Sequence, residues 1–133
     1  AGIAEIFGTF YAELYKCDAA EREEDEDNLA GLISPVTPTE IIQALKRMRT
    51  NRTGAEDCLV AEMLKTANGD LVETIAQYFT DILSSSMEPT AEWKVARLAV
   101  ILKKGDAKEP QNYRPISIIP VMAKLYSIVL YIR

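Results

Sequence analysis

The sequence predicts an α+β fold, mainly helical with one antiparallel β-hairpin. Three observations carry that prediction. Apolar residues recur at helical spacing in several segments, one of them opened by the start signal Thr37-Pro38-Thr39-Glu40. A single eight-residue apolar run rich in β-branched side chains and interrupted only by Arg97, Val95 to Leu102, is followed by a glycine- and proline-containing turn and a second short extended stretch. An acidic run, Glu21-Arg22-Glu23-Glu24-Asp25-Glu26-Asp27, is too charged to pack and separates the first helix from the rest. Residues 1–33 are therefore read as an amino-terminal helix and acidic linker, and residues 34–133 as one continuous region.

Taken in order, Ile3, Phe7, Phe10, Tyr11 and Leu14 follow helical spacing and give a first amphipathic helix ending near Tyr15 or Lys16, with its aromatics in a core rather than stacked on bases. Thr37 supplies a cap, Pro38 the first helical position and Glu40 the closing carboxylate of a capping box. Ile41, Ile42, Leu45 and Met48 then line one face. Lys46, Arg47, Arg49 and Arg52 gather towards the carboxyl end, where cations offset the helix dipole without any ligand. A short helix through Leu59, Val60, Met63 and Leu64 is expected to stop at Asn68-Gly69, after which Asp70 caps a helix whose stripe is Leu71, Ile75, Tyr78, Phe79, Ile82 and Leu83. Val95 to Leu102 reads as a strand buried on both faces over most of its length, and Tyr113 to Ile119 as the returning strand, confined to an edge or bulge by Pro115. Pro120 opens a last helix with Val121, Met122, Leu125, Tyr126, Val129 and Leu130 on its apolar side.

Composition narrows the function. The 133 residues are 48% hydrophobic and 26% charged, which suits one soluble domain with a modest core. No apolar run approaches a membrane span and no signal peptide is evident, so the expected compartment is intracellular, with cytoplasm and nucleus not distinguished. A start at Ala1 rather than methionine is expected of a fragment or a processed product. Histidine is absent, which excludes Ser-His-Asp and Cys-His chemistry and His-dependent zinc sites. Cys17 and Cys58 form no CxxC pair and are read as free thiols, and no metal site is assigned. The net charge of −5 is local in origin: residues 1–33 carry nine acids and two bases, net −7, leaving a net +2 on the remainder. A basic turn, Lys103-Lys104-Gly105-Asp106, followed by Arg114 on the returning strand, is a hairpin able to grip phosphate.

Four ordered motifs carry a resemblance. Asn51-Arg52-Thr53-Gly54-Ala55-Glu56-Asp57-Cys58 with Ala61-Glu62-Met63-Leu64-Lys65, then Pro89 with Trp93-Lys94, then Lys103-Lys104-Gly105-Asp106, then Asn112-Tyr113-Arg114-Pro115-Ile116-Ser117 resemble the amino-terminal part of the reverse transcriptases of non-LTR (LINE-type) retrotransposons. The resemblance spans nearly the whole chain. It departs at Ala55 and Cys58, where the family usually has glycine; if those glycines serve a positive backbone dihedral, this loop differs or carries strain.

The resemblance implies the fingers portion of a right-hand polymerase, plus the first helix towards the palm. It implies that Arg114, assisted by Lys103 and Lys104, contacts the incoming nucleotide, and that Arg49, Arg52 and Lys65 face the template backbone. For Arg114 the competing reading is a surface ion pair with Glu109 or Asp106; for the two lysines it is a solvated turn; for Trp93, anchoring is preferred to base stacking. The family's catalytic aspartates and the magnesium they hold are expected beyond this chain's last residue, so Asp57, Asp70, Asp81 and Asp106 receive no catalytic role and the isolated chain is expected to be inactive. The implied partners are an RNA template, a DNA primer, a deoxynucleoside triphosphate and the missing palm, with no membrane. Two alternatives stand beside this: a remnant that only binds nucleic acid, and an interaction protein that self-associates through the apolar face of its last helix.

Overall fold

The computed structural model describes residues 2–16 and 33–133. Cys17 and the acidic run lie outside them. Among the described residues there are five α-helices and one two-stranded antiparallel sheet, an α+β arrangement. The helices are α1 (Ile3–Leu14), α2 (Pro38–Arg47), α3 (Ala61–Lys65), α4 (Gly69–Leu83) and α5 (Val121–Ile132), and the strands are β1 (Arg97–Leu102) and β2 (Tyr113–Ile118). No described helix is long and apolar enough to cross a membrane. The chain divides into two compact units, one of residues 1–27 and 99–116, the other of residues 28–98 and 117–133.

The larger unit is helical. Helix α2 begins as its sequence dictates: Thr37 Oγ1 accepts from the Glu40 amide at 3.3 Å, and Glu40 Oε2 accepts from the Thr37 amide at 2.7 Å. Ile41, Ala44, Leu45 and Met48 are buried, packed with Val72, Ile75, Ala76 and Phe79 of α4 and Val121, Leu125 and Val129 of α5. Ile42 instead faces outward with 44% of its surface exposed. Trp93 sits in a 3-10 turn, Ala91–Lys94, and packs edge-on against Tyr78 and Phe79 with ring centroids 5.8 and 6.0 Å away, with Tyr126 at 5.7 Å. It is thus an anchor on α4 and α5, in keeping with its sequence context.

Arg133 ties the end of α5 to the start of α2. Its guanidinium donates to Glu40 Oε1 at 2.8 Å and to the carbonyl oxygens of Ser34 and Pro35, each at 2.7 Å. With Arg133 beside it, and the Thr37 bonds adding to the effect, the Glu40 carboxyl is held down to about 2.

Several expectations are corrected. Helix α3 ends at Lys65, well before Asn68, and Asn68 rather than Asp70 caps α4: its Oδ1 accepts from the Leu71 amide at 3.0 Å. An asparagine followed by glycine reads equally as a stop and as a start, and here the extended backbone of Asn68 makes it a start. The α4 stripe consequently centres on Val72, Ile75, Ala76 and Phe79, and Leu71 is 42% exposed. In the last helix Leu125 and Val129 are fully buried in the helical core, while Leu130 and Tyr131 are exposed.

The smaller unit contains α1 and the outer part of the hairpin. Tyr11 is its one buried residue among those described. Its hydroxyl donates to the Tyr113 carbonyl oxygen at 3.3 Å, and Phe7 meets the Tyr113 ring edge-on at 4.7 Å. The aromatics of α1 are therefore packed, as expected. Strand β1 is not the doubly buried strand that its apolar run suggested. It starts at Arg97, only Ala99 and Val100 are half-buried, and Ile101 is 54% exposed. A run of β-branched residues satisfies a ribbon strand as well as an interior one, and a two-stranded ribbon has no neighbouring strand to shield its ends.

Candidate functional site

The hairpin turn sorts its motif residues into scaffold and display. The Lys103 amide donates to the Asn112 carbonyl oxygen at 2.8 Å and closes the ribbon. Beyond it the chain reverses through Gly105, whose φ of +88° favours a residue without a side chain. A Cβ there would lie 2.8 Å from Asn112 Nδ2, so the glycine also makes room for the asparagine. That amide nitrogen donates to the Asp106 carbonyl oxygen at 2.9 Å, Asp106 Oδ1 accepts from the Lys108 amide at 2.9 Å, and the Tyr113 hydroxyl donates to the Ala107 carbonyl oxygen at 3.0 Å. Gly105, Asp106, Asn112 and Tyr113 thus brace the turn.

Lys103, Lys104 and Arg114 are left exposed on it. The competing ion pair of Arg114 with Glu109 or Asp106 does not form; among the described residues the one ion pair is Arg133 with Glu40. Asp106 is committed to the backbone of its own turn. A guanidinium with no acidic partner among the described residues, on the same braced hairpin as two exposed lysines, is chemically suited to a polyanion such as a phosphate chain.

The helical unit carries the second set. Arg49 and Arg52 are exposed in the loop that follows α2, on either side of Asn51, which adopts a left-handed φ of 55°. Asn51 tolerates that conformation better than most residues. The loop is fastened by α3: Glu62 Oε1 accepts from the Asn51 amide, and Lys65 Nζ donates to the Met48 carbonyl oxygen at 2.6 Å. The Asn51 bond keeps the Glu62 carboxyl below the usual carboxylate range, with the Lys65 charge acting in the same direction. Lys65 therefore stands at the carboxyl end of α2, where it offsets the helix dipole. Sequence reasoning missed Glu62. Only its place three residues before Lys65 in the Ala61-Glu62-Met63-Leu64-Lys65 motif pointed to it.

Downstream the loop tightens. A Cβ on Gly54 would lie 2.7 Å from the Leu59 carbonyl oxygen, Ala55 is buried, and Cys58 takes a left-handed φ of 56°. Of the two positions that depart from the family pattern, Cys58 carries the strain and Ala55 does not. Among the described residues no three acidic or cysteine side chains gather closely enough to hold a metal ion.

No protein-family model matches the chain. Its curated relatives are polymerases of mobile elements. It is 27% identical to the probable RNA-directed DNA polymerase from transposon X-element of Drosophila melanogaster, over 99% of this chain and 16% of that protein. It is 30% identical to the probable RNA-directed DNA polymerase from transposon BS of the same fly, over 71% of this chain and 10% of that protein. With the retrovirus-related Pol polyprotein from type-1 retrotransposable element R1 of Bradysia coprophila the identity is 27%, over 74% and 10% of the two chains. The chain spans only a tenth to a sixth of these relatives. These relatives define the chain as a segment homologous to RNA-directed DNA polymerases. Within that class its homologues are the reverse transcriptases of non-LTR retrotransposons.

Proposed function

We propose that this chain is the fingers portion of a non-LTR retrotransposon reverse transcriptase and that it positions the incoming nucleotide and the template for RNA-directed DNA synthesis. The observation that carries the reading is Arg114, which stands exposed and without an acidic partner among the described residues while the motif residues around it brace the turn. A triphosphate presents several negative charges to a small volume. Arg114 meets it with a planar fork of donors, and Lys103 and Lys104 add point charges. Arg49 and Arg52, with the charge of Lys65 behind them, hold the template by its phosphates, which gives affinity without reading sequence.

Magnesium and its carboxylate ligands belong to the remainder of the parent enzyme in this reading, and the isolated chain does not polymerise. Incorporation of nucleotide on a primed RNA template by the pure chain with magnesium would overturn that part. The positioning role is tested by titrating the chain with a deoxynucleoside triphosphate and following backbone amide resonances. Perturbations are expected between Lys103 and Arg114 and are expected to disappear in Arg114→Ala. Perturbations elsewhere alone, or a response unchanged in Arg114→Ala, would remove the nucleotide role. Affinity for single-stranded RNA is expected to fall steeply with added salt.

A further inference from the structure

We propose that Glu62 is a positioning residue for the template-binding loop: helix α3 grips the loop at two backbone points, through Glu62 and Lys65, so that Arg49 and Arg52 are presented in a fixed arrangement. The inference rests on the template reading above. Glu62 is an acid, which on charge alone would weaken the binding of RNA.

The loop needs outside support because its own sequence supplies little. Helix α2 ends with Met48 in extended backbone, and its terminal carbonyl oxygens lack partners within the helix. Lys65 Nζ satisfies the Met48 oxygen at 2.6 Å. Three residues further on, Asn51 turns left-handed with its amide directed at the Glu62 carboxylate. Arg49 lies between these two fastened points and Arg52 directly after the second, both exposed. Glu62 and Lys65 can act together because residues three apart share one face of a helix. Their partners lie 11 and 17 residues away in sequence, so the clamp fixes the loop against α3 rather than bracing α3 itself.

Fixing the loop matters energetically. Ordering a long cationic side chain and its backbone costs free energy when RNA binds, and a loop already held in place has met that cost beforehand. Glu62 therefore contributes to affinity through geometry while opposing it through charge. The two contributions have opposite signs, which makes them separable.

The test compares Glu62→Met, which keeps the stem and removes the acceptor, with Glu62→Gln, which keeps an acceptor oxygen and removes the charge. Affinity for a labelled oligouridylate is measured over a range of salt, alongside hydrogen exchange at the Asn51 amide. Positioning predicts faster Asn51 exchange and about fivefold weaker RNA binding in Glu62→Met, the scale expected when one hydrogen bond is removed. It also predicts recovery of most of that affinity in Glu62→Gln. Tighter binding in both variants would mean that Glu62 acts only as a charge, and would overturn the proposal. So would faster Asn51 exchange with RNA affinity unchanged. The double variant Arg49→Ala with Arg52→Ala distinguishes the underlying reading: if it leaves affinity and salt slope untouched, the loop does not bind template and the positioning role falls with it, whereas a shallower slope, by about 0.7 for each phosphate that is no longer neutralised, upholds the template reading whatever Glu62 does.

Discussion

The helical unit closes around Ile41, Phe79, Leu125 and Val129, all at 0% exposure, whereas the hairpin unit buries only Tyr11 among its described residues and holds its turn with hydrogen bonds from Asn112, Tyr113 and Asp106. The first is stabilised by apolar area removed from water, the second by polar bonds that each contribute only about 0.5–1.5 kcal/mol net. Both units display cations, but on different foundations. Arg49 and Arg52 stand on a loop fastened to a packed helical core, and Lys103, Lys104 and Arg114 on a ribbon whose polar bracing is local. Regions with little buried apolar surface open at low free energy. The difference makes the loop the more rigid platform for its cations and the ribbon the more compliant one.

The largest effect that sharpens this contrast is expected in the helical unit. Phe79 is fully buried and meets Trp93 and Tyr126 edge-on, with ring centroids at 6.0 and 5.1 Å. Truncation to alanine removes those interactions and leaves a cavity, so Phe79→Ala should cost about 3–5 kcal/mol. A cost of that size is a large fraction of the total stability of a small domain. Urea denaturation followed by circular dichroism reads it directly. A loss below about 1 kcal/mol would mean the aromatic cluster collapses without penalty, and that the unit is not organised around it.

A smaller and more local effect is expected in the hairpin. Alanine at position 105 must hold a φ of +88° and places its Cβ against the Asn112 side chain. Gly105→Ala should cost about 1–2 kcal/mol, felt in the ribbon alone. The amide of Lys103, whose bond to the Asn112 carbonyl oxygen closes the ribbon, should then exchange about tenfold faster while amides of α4 keep their protection. Equal loss of protection in α4 would break the contrast, because it would make the two units one cooperative whole.

The same contrast separates what a sequence exposes from what it hides. The α2 start was readable because its capping box lies within four consecutive residues, Thr37 to Glu40, and obeys local rules. The hairpin was readable for a similar reason, since glycine and proline mark its turn. Burial was not. Whether Ile101 or Leu125 is covered depends on what the fold brings to it, and here the apolar run of β1 is largely exposed while the last helix is core. The site divides in the same way. The cations themselves were legible as residue types, but the supports of Glu62 for Asn51 and of Arg133 for Glu40 join residues 11 and 93 positions apart, which no local pattern announces.

The smallest expected effect lies at Cys58, where strain rather than packing sets the sign. A cysteine with a φ of 56° holds its Cβ near its own carbonyl oxygen, at a cost of about 1–2 kcal/mol that glycine avoids. Glycine also gives the unfolded chain more freedom, which takes back part of the gain. The net expectation for Cys58→Gly is a stabilisation of about 0.5–1 kcal/mol, seen as a higher urea midpoint at unchanged slope. Cys58→Ala separates this cause from the thiol's own interaction, a weak bond from Sγ to the Glu56 carbonyl oxygen at 3.7 Å. Alanine keeps the Cβ and the strain, so it should give no gain. An equal gain from alanine and glycine would trace the effect to removal of the sulfur and would leave the left-handed backbone at this position without an energetic consequence.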